Sequence, residues 1–138
     1  MQKLRLTTTT RSTLVDITDE INRLVSESNI QRGLCLVFSP HTTAGITVQE
    51  GYDPDVVRDI TTFLNREVPH EGDYRHAEGN SDSHIKALMT GNSQTLPVED
   101  GQLQLGRWQA IFFCEFDGPR ERTVWVQLIE SDKAIEER

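Results

Sequence analysis

Cysteine is scarce in this chain of 138 residues. Cys35 and Cys114 each fall inside an apolar, strand-like run with no CxxC pair, so a disulfide framework is excluded and both read as buried, reduced thiols. Positive charge is also short. Fourteen Lys and Arg stand against 22 Asp and Glu, giving a formal charge of −8. No basic block could neutralise a run of phosphates, so a nucleic-acid partner is not expected, and the acidic surface repels anionic membranes. No apolar run approaches the ~18 residues of a membrane span, and the amino terminus lacks a signal-peptide core, which reads as a soluble, cytoplasmic protein. The GxSxG, GxxxxGK[ST] and GxGxxG motifs are all missing, arguing against serine hydrolases, P-loop enzymes and dinucleotide-dependent oxidoreductases.

The residues that are present describe one α+β domain over 1–138. Leu4 and Leu6 alternate with polar neighbours and lead into a threonine run, which predicts a half-exposed strand over 3–11. From Thr18 the period changes to helical, with Ile17, Ile21, Leu24 and Val25 on one stripe and Thr18 as the cap. Residues 34–38 read as a buried strand and 42–50 as a second, with His41 between them. Asp53-Pro54 starts a second helix whose apolar stripe is Val56, Val57, Ile60, Phe63 and Leu64. A long polar loop over 70–82 feeds a short helical segment over 83–89. The remainder reads as an antiparallel meander packed on two main helices: strands at 95–99, 102–105, 108–116 and 122–129. Trp108 and Trp125 have apolar partners at alternate positions and read as core.

Histidine is sparse but concentrated. Of the four, His41, His76 and His84 lie in segments rich in small, polar and acidic residues. Three neutral imidazoles leave a fourth coordination position open, which suits a catalytic zinc; ordinary polar surface is the alternative. Glu115 sits in an apolar strand on the face of Ile111 and Phe113. A carboxylate there is either a general base or half of an ion pair with Arg120 or Arg122. Asp82 can orient a metal-bound histidine or cap the helix that follows. Arg75 and Arg120 are candidates for holding a phosphate, and Thr42 and Thr43 can donate hydroxyls to a bound anion.

Several stretches, in order, resemble one family: 39–50 with its Pro-His-Thr-Thr-Ala-Gly core, Tyr74-Arg75-His76, His84-Ile85-Lys86-Ala87, and Leu105-Gly106-Arg107-Trp108-Gln109 running on to Cys114-Glu115. Together they span nearly the whole chain and resemble the YjbQ-like family. The resemblance implies a two-sheet, mostly antiparallel sandwich, assembly as a homotrimer, and a histidine cluster on His41, His76 and His84; His70 matches no motif. It further implies a transferase activity, the joining of hydroxymethylpyrimidine diphosphate to a thiazole phosphate with release of pyrophosphate, as in a secondary thiamine-phosphate synthase.

Under that expectation the site holds zinc, or Mg²⁺ where pyrophosphate is a substrate group, and takes a small phosphorylated molecule. Asp82, Glu115 and Arg120 would serve catalysis, and Thr42, Thr43 and Arg75 would hold phosphate. Three-histidine sites favour hydroxide chemistry over pyrophosphate departure. A metal-dependent hydrolase or lyase is therefore a second expectation. A non-catalytic metal-binding trimer, with Glu115 as fourth ligand, is a third.

Overall fold

The alternation at the amino end forms two strands that separate at 8–12. In the computed structural model, which describes residues 1–132, β1 (Gln2–Thr7) and β2 (Thr13–Asp16) enter different sheets. Helix α1 (Thr18–Ser28) carries Asp19 and Glu20 in its first turn, where they complement the helix dipole, and ends at Asn29 in the left-handed conformation. Thr18 lies inside the helix, not at its cap. Its hydroxyl donates to Asp16 and accepts the Ile111 N–H at 2.9 Å.

Strands β3 (Gly33–Phe38) and β4 (Ala44–Glu50) flank His41 as expected. Helix α2 (Pro54–Glu67) opens on the predicted Asp53 cap, whose carboxylate accepts the Asp55 N–H at 2.9 Å. The expected short helical segment is a third full helix, α3 (Ser81–Thr90). Then follow β5 (Ser93–Glu99), β6 (Gln102–Leu103), β7 (Gln109–Glu115) and β8 (Glu121–Glu130). Asp100 and Gly101, both at positive φ, make the tight hairpin between β5 and β6.

The fold is α+β with two antiparallel sheets, ordered β1-β8-β3-β5-β6 and β2-β7-β4. The late strands do not form a meander, because β7 leaves the sheet of β6 and β8 to become the centre of the smaller one. There it is buried on both faces. Ile111 and Phe113 face the large sheet and meet Val37, Val98, Val124 and Val126. Ala110, Phe112 and Cys114 face outward and are covered by Leu64, Val57 and Ile60 of α2 and Ala87 of α3. Burying such side chains contributes about 1.5–3 kcal/mol each, so the double coverage makes β7 the anchor of the domain. Ile21 and Val25 of α1 close the main core.

The end of α3 lies against β4. Gly91 accepts the Ile46 N–H at 3.0 Å. A Cβ at Gly45 would meet the Thr90 hydroxyl at 2.2 Å and the Gly91 carbonyl at 2.5 Å, so this close approach requires glycine. Trp108 departs from its expected place in the core. It is 46% exposed, its ring tilted against that of Tyr52 at 5.0 Å and under the Arg107 guanidinium.

Candidate ligand-binding site

At the end of β3 the chain turns away through Ser39-Pro40, and β8 is left with a backbone N–H that β3 no longer meets. His41 takes over the strand's role: its Nε2 accepts the Thr123 N–H at 3.0 Å. The turn is tied beneath. Ser39 Oγ donates to the Ala44 carbonyl at 3.2 Å and accepts the His41 N–H at 3.3 Å. The Thr43 carbonyl accepts the Phe116 N–H at 3.2 Å. Thr43 is itself buried, and its hydroxyl accepts a hydrogen bond from Arg122 Nη2 at 2.9 Å.

Arg122 and Glu115 form an ion pair between the two sheets, both side chains almost wholly removed from solvent. Glu115 is thus paired with Arg122, and Arg120 is half exposed and 3.8 Å from Asp117. The Glu115 carboxylate also accepts from the Thr8 hydroxyl at 2.6 Å and the Asp117 N–H at 3.1 Å. Burial alone would raise its pKa, but the Arg122, Thr8 and Asp117 hydrogen bonds outweigh it and hold the carboxyl below its ordinary value. A carboxylate so stabilised and enclosed is a poor general base. His41 shifts down as well, through burial and then the positive charge of Arg122.

Asp82 is the centre of a second buried network. Arg11 grips it with both forks at 3.0 Å, and Lys86, one turn along α3, donates to it at 3.0 Å and to Asn65 of α2 at 2.9 Å. Burial pushes the Asp82 carboxyl up; Arg11 and Lys86 together pull it below its usual range. The residue at the cap position of α3 is Asn80, and Asp82 neither caps the helix nor orients a histidine. It fastens α3 to α2 and to the 8–12 segment. From sequence, Arg122 is a candidate partner of Glu115 but no role falls to Lys86 or Arg11, although Asp82 and Lys86 stand four apart on one helix.

The latch holds α3 so that His84 faces two adjoining clefts. One, about 430 Å³, is lined by His41, Thr42, Ala44, His84, Leu88 and Asn92, among others. The other, about 460 Å³, includes Tyr74, Arg75, His76, Ser81 and His84. The rings of His76 and His84 meet edge to face at 5.3 Å. Ser81 Oγ is buried there with no hydrogen-bond partner among the described residues. His70 stands apart, bonded through Nε2 to the Gly79 carbonyl at 2.8 Å, where it closes the base of its loop. Of the expected site residues, His41, Thr42, Arg75, His76 and His84 share this surface, whereas Thr43, Asp82 and Glu115 are buried beneath it and Arg120 lies outside.

The surface does not fit the expected metal. Among the described residues no three His, Cys, Asp or Glu side chains come close enough to hold an ion. The His41 nitrogen Nε2 is already committed to a backbone N–H, and the carboxylates of Asp82 and Glu115 to cationic partners. Among the described residues the zinc or Mg²⁺ centre expected on His41, His76 and His84 is not assembled, nor is a four-ligand site with Glu115.

The model of the family described as UPF0047 protein, YjbQ-like, matches residues 2–131. The chain is 48% identical to UPF0047 protein MJ1081 of Methanocaldococcus jannaschii, covering 92% of each chain. It is 45% identical to UPF0047 protein YugU of Bacillus subtilis, over 94% of this chain and 98% of that one. A YjbQ/UPF0047-family structure from Clostridium acetobutylicum superposes with a TM-score of 0.92 at 49% identity, covering 94% of this chain and all of the other. A YbjQ-like protein of unknown function from Sulfolobus solfataricus P2 superposes with a TM-score of 0.89 at 32% identity, covering 94% and 96% of the two chains. These relatives carry only the UPF0047 name or the words unknown function. Nothing in them supports thiamine-phosphate synthesis. With no metal-holding group among the described residues either, the synthase, the metal-dependent hydrolase or lyase and the metal-binding trimer are all set aside.

Proposed function

The chain belongs to the YjbQ-like UPF0047 family, and from that premise we propose that it binds a small, anionic, phosphorylated molecule in the paired clefts around His84. The observation that carries this reading is the sharing of His84 by both clefts, with His76 at 5.3 Å on one side and His41 on the other. The polar groups around it are mostly donors: Arg75, the Thr42 hydroxyl, the unpartnered Ser81 hydroxyl and the imidazoles. Among the described residues Asp73 is the one carboxylate in the cleft linings, Glu78 stands 3.8 Å from His76, and Asp82 is buried beneath, neutralised by Arg11 and Lys86. A guanidinium and a set of fixed hydroxyl and imidazole donors match the acceptor oxygens of a phosphate. The second cleft also lies at the amino end of α3, where the helix dipole favours negative charge.

Titration calorimetry with inorganic pyrophosphate tests it. Binding should be measurable for the native protein and about tenfold or more weaker for Arg75→Gln and for His84→Gln, since a hydrogen bond to a charged group contributes about 1.5–3 kcal/mol. Equal affinity in both variants removes the clefts as the site.

We propose further that the protein assembles as a homotrimer. Ile85, Leu88 and Met89 expose apolar surface on α3 beside the open clefts, Leu88 being 82% exposed, and a second copy would cover them. Sedimentation should give the mass of three chains; the mass of one would contradict it. A cytoplasmic setting is supported by the two unpaired cysteines, whose thiols burial pushes up to about 11 and about 12. Among the described residues no helix is long and apolar enough to cross a membrane.

A further inference from the structure

The hydrogen bond between Thr123 and His41 fixes more than a loop. Its donor is a backbone amide whose proton has one direction, so Nε2 of His41 must present a lone pair. A neutral imidazole with a lone pair on Nε2 carries its proton on Nδ1. Nδ1 has no hydrogen-bond partner among the described residues, and His41 lines the cleft together with Thr42 and His84. The ring therefore has one polar atom left for a ligand, and that atom is a donor.

The geometry around the ring explains what keeps it so. Arg122 is one residue from the donor amide of Thr123, and its guanidinium holds the Thr43 hydroxyl, two residues from His41. Glu115 holds Arg122 in turn, while Thr8 and the Asp117 N–H hold Glu115. The chain of contacts thus grips the His41 turn from β8, β7 and the 8–12 segment. The His41 and Phe113 rings meet at right angles, their centroids 6.4 Å apart.

We infer that Glu115 and Arg122 are positioning residues for the cleft: acting through Thr43 and Thr123, they lock His41 as the Nδ1–H tautomer, so the site requires of its ligand an acceptor oxygen facing that nitrogen. This rests on the clefts being a ligand site and adds to it a polarity. His41 donates to the ligand and does not accept from it, so a carbonyl, carboxylate or phosphoryl oxygen is admitted at this point and an ammonium or amide N–H is not. The lock also excludes His41 as a proton acceptor toward a ligand in the cleft, since its only lone pair is turned to the backbone.

Nitrogen-15 NMR of the ligand-free protein labelled at histidine tests the lock. At neutral pH the His41 signals should show a protonated Nδ1 and an unprotonated Nε2, with no averaging between tautomers. Signals showing a protonated Nε2, or the averaged shifts of a freely exchanging imidazole, would overturn the inference. Thr123→Pro removes the donor amide and displaces the ring from it, and should release His41 from the pure Nδ1–H tautomer. Glu115→Gln combined with Arg122→Met removes both charges of the pair together; the His41 shifts should then become averaged. Retention of the native pattern in this double variant would deny Glu115 and Arg122 their positioning role. Because no ligand is present, these outcomes are independent of whether pyrophosphate binds.

Discussion

Replacing Glu115 with alanine is expected to cost about 3–5 kcal/mol of stability, because it leaves the Arg122 guanidinium buried without its counter-ion. That is a large share of the ~5–15 kcal/mol by which a domain of this size is usually stable. The loss has three parts: Arg122 loses its carboxylate, the Thr8 hydroxyl loses its acceptor, and the Asp117 N–H is left unpaired. Removing both charges is the informative contrast. Glu115→Gln with Arg122→Met keeps the volume and should recover most of the loss, since the desolvation cost of the pair disappears with the pair. Urea unfolding measures both. A single variant within ~0.5 kcal/mol of the native protein would mean that water reaches this pair and that it does not join the sheets.

The same pair sets a pH dependence whose sign is fixed. The folded Glu115 and Asp82 carboxyls lie below their ordinary values, so their contribution is fully present above the unfolded carboxylate range. It is lost as pH falls through the folded values. His41 acts in the same direction, because its folded value is also depressed: the unfolded chain takes up a proton there first, starting at about pH 6.5. Stability should therefore decline on acidification in two stages, a shallow one from His41 and a steep one below the usual carboxylate range. In Glu115→Gln with Arg122→Met, the steep stage should shrink. A native protein more stable at pH 4 than at pH 7 would contradict the assignment of all three groups.

Asp82→Ala carries the second large effect. Lys86 is only 1% exposed, and its ammonium has two partners, Asp82 and Asn65. Taking away the carboxylate strands a buried cation, again at about 3–5 kcal/mol. Arg11 contributes less to the loss, since it is about one-third exposed and can turn to solvent. Lys86→Met in the Asp82→Ala background should restore most of the stability. The distinction from a chemical role is sharp. A carboxylate acting on a ligand would be replaced with the fold intact, whereas this one should loosen α3 from α2 and accelerate amide hydrogen exchange along α3. An Asp82→Ala protein with native unfolding behaviour would refute the latch.

The sequence revealed the elements whose signal is local. Asp53-Pro54 predicted the start of α2 because both the capping oxygen and the fixed proline φ act within one turn, and the helix begins there. The strands around His41 were legible from a short apolar run and a period-two alternation. Sheet membership was not. Nothing near Gln109 says that β7 will leave its neighbours in the chain and pair with β2 and β4, because that choice is made by burial on both faces against residues far away in sequence.

The site shows the same division. The grouping of His41, His76 and His84 on one surface followed from motif, and Glu115 facing inward followed from alternation. Their chemistry did not follow. A histidine that substitutes for a missing strand looks, in sequence, like a metal ligand, and Asp82 beside His84 looks like its orienting partner. Only the contacts reveal that His41 serves Thr123 and that Asp82 serves Arg11 and Lys86. Trp108 failed for a related reason: alternate apolar neighbours do not say whether a strand's first residue has a sheet over it, and Trp108 lies just before β7.

The central claim, a ligand surface organised around His84, is tested most directly by following all four histidine side chains by NMR as inorganic pyrophosphate is added. His76 and His84 should move together and saturate at one concentration, the His41 Nδ1–H should shift as it gains an acceptor, and His70, tied to Gly79 outside the clefts, should stay in place. Histidines that do not respond, or a response in which His70 moves as far as His84, would contradict the account.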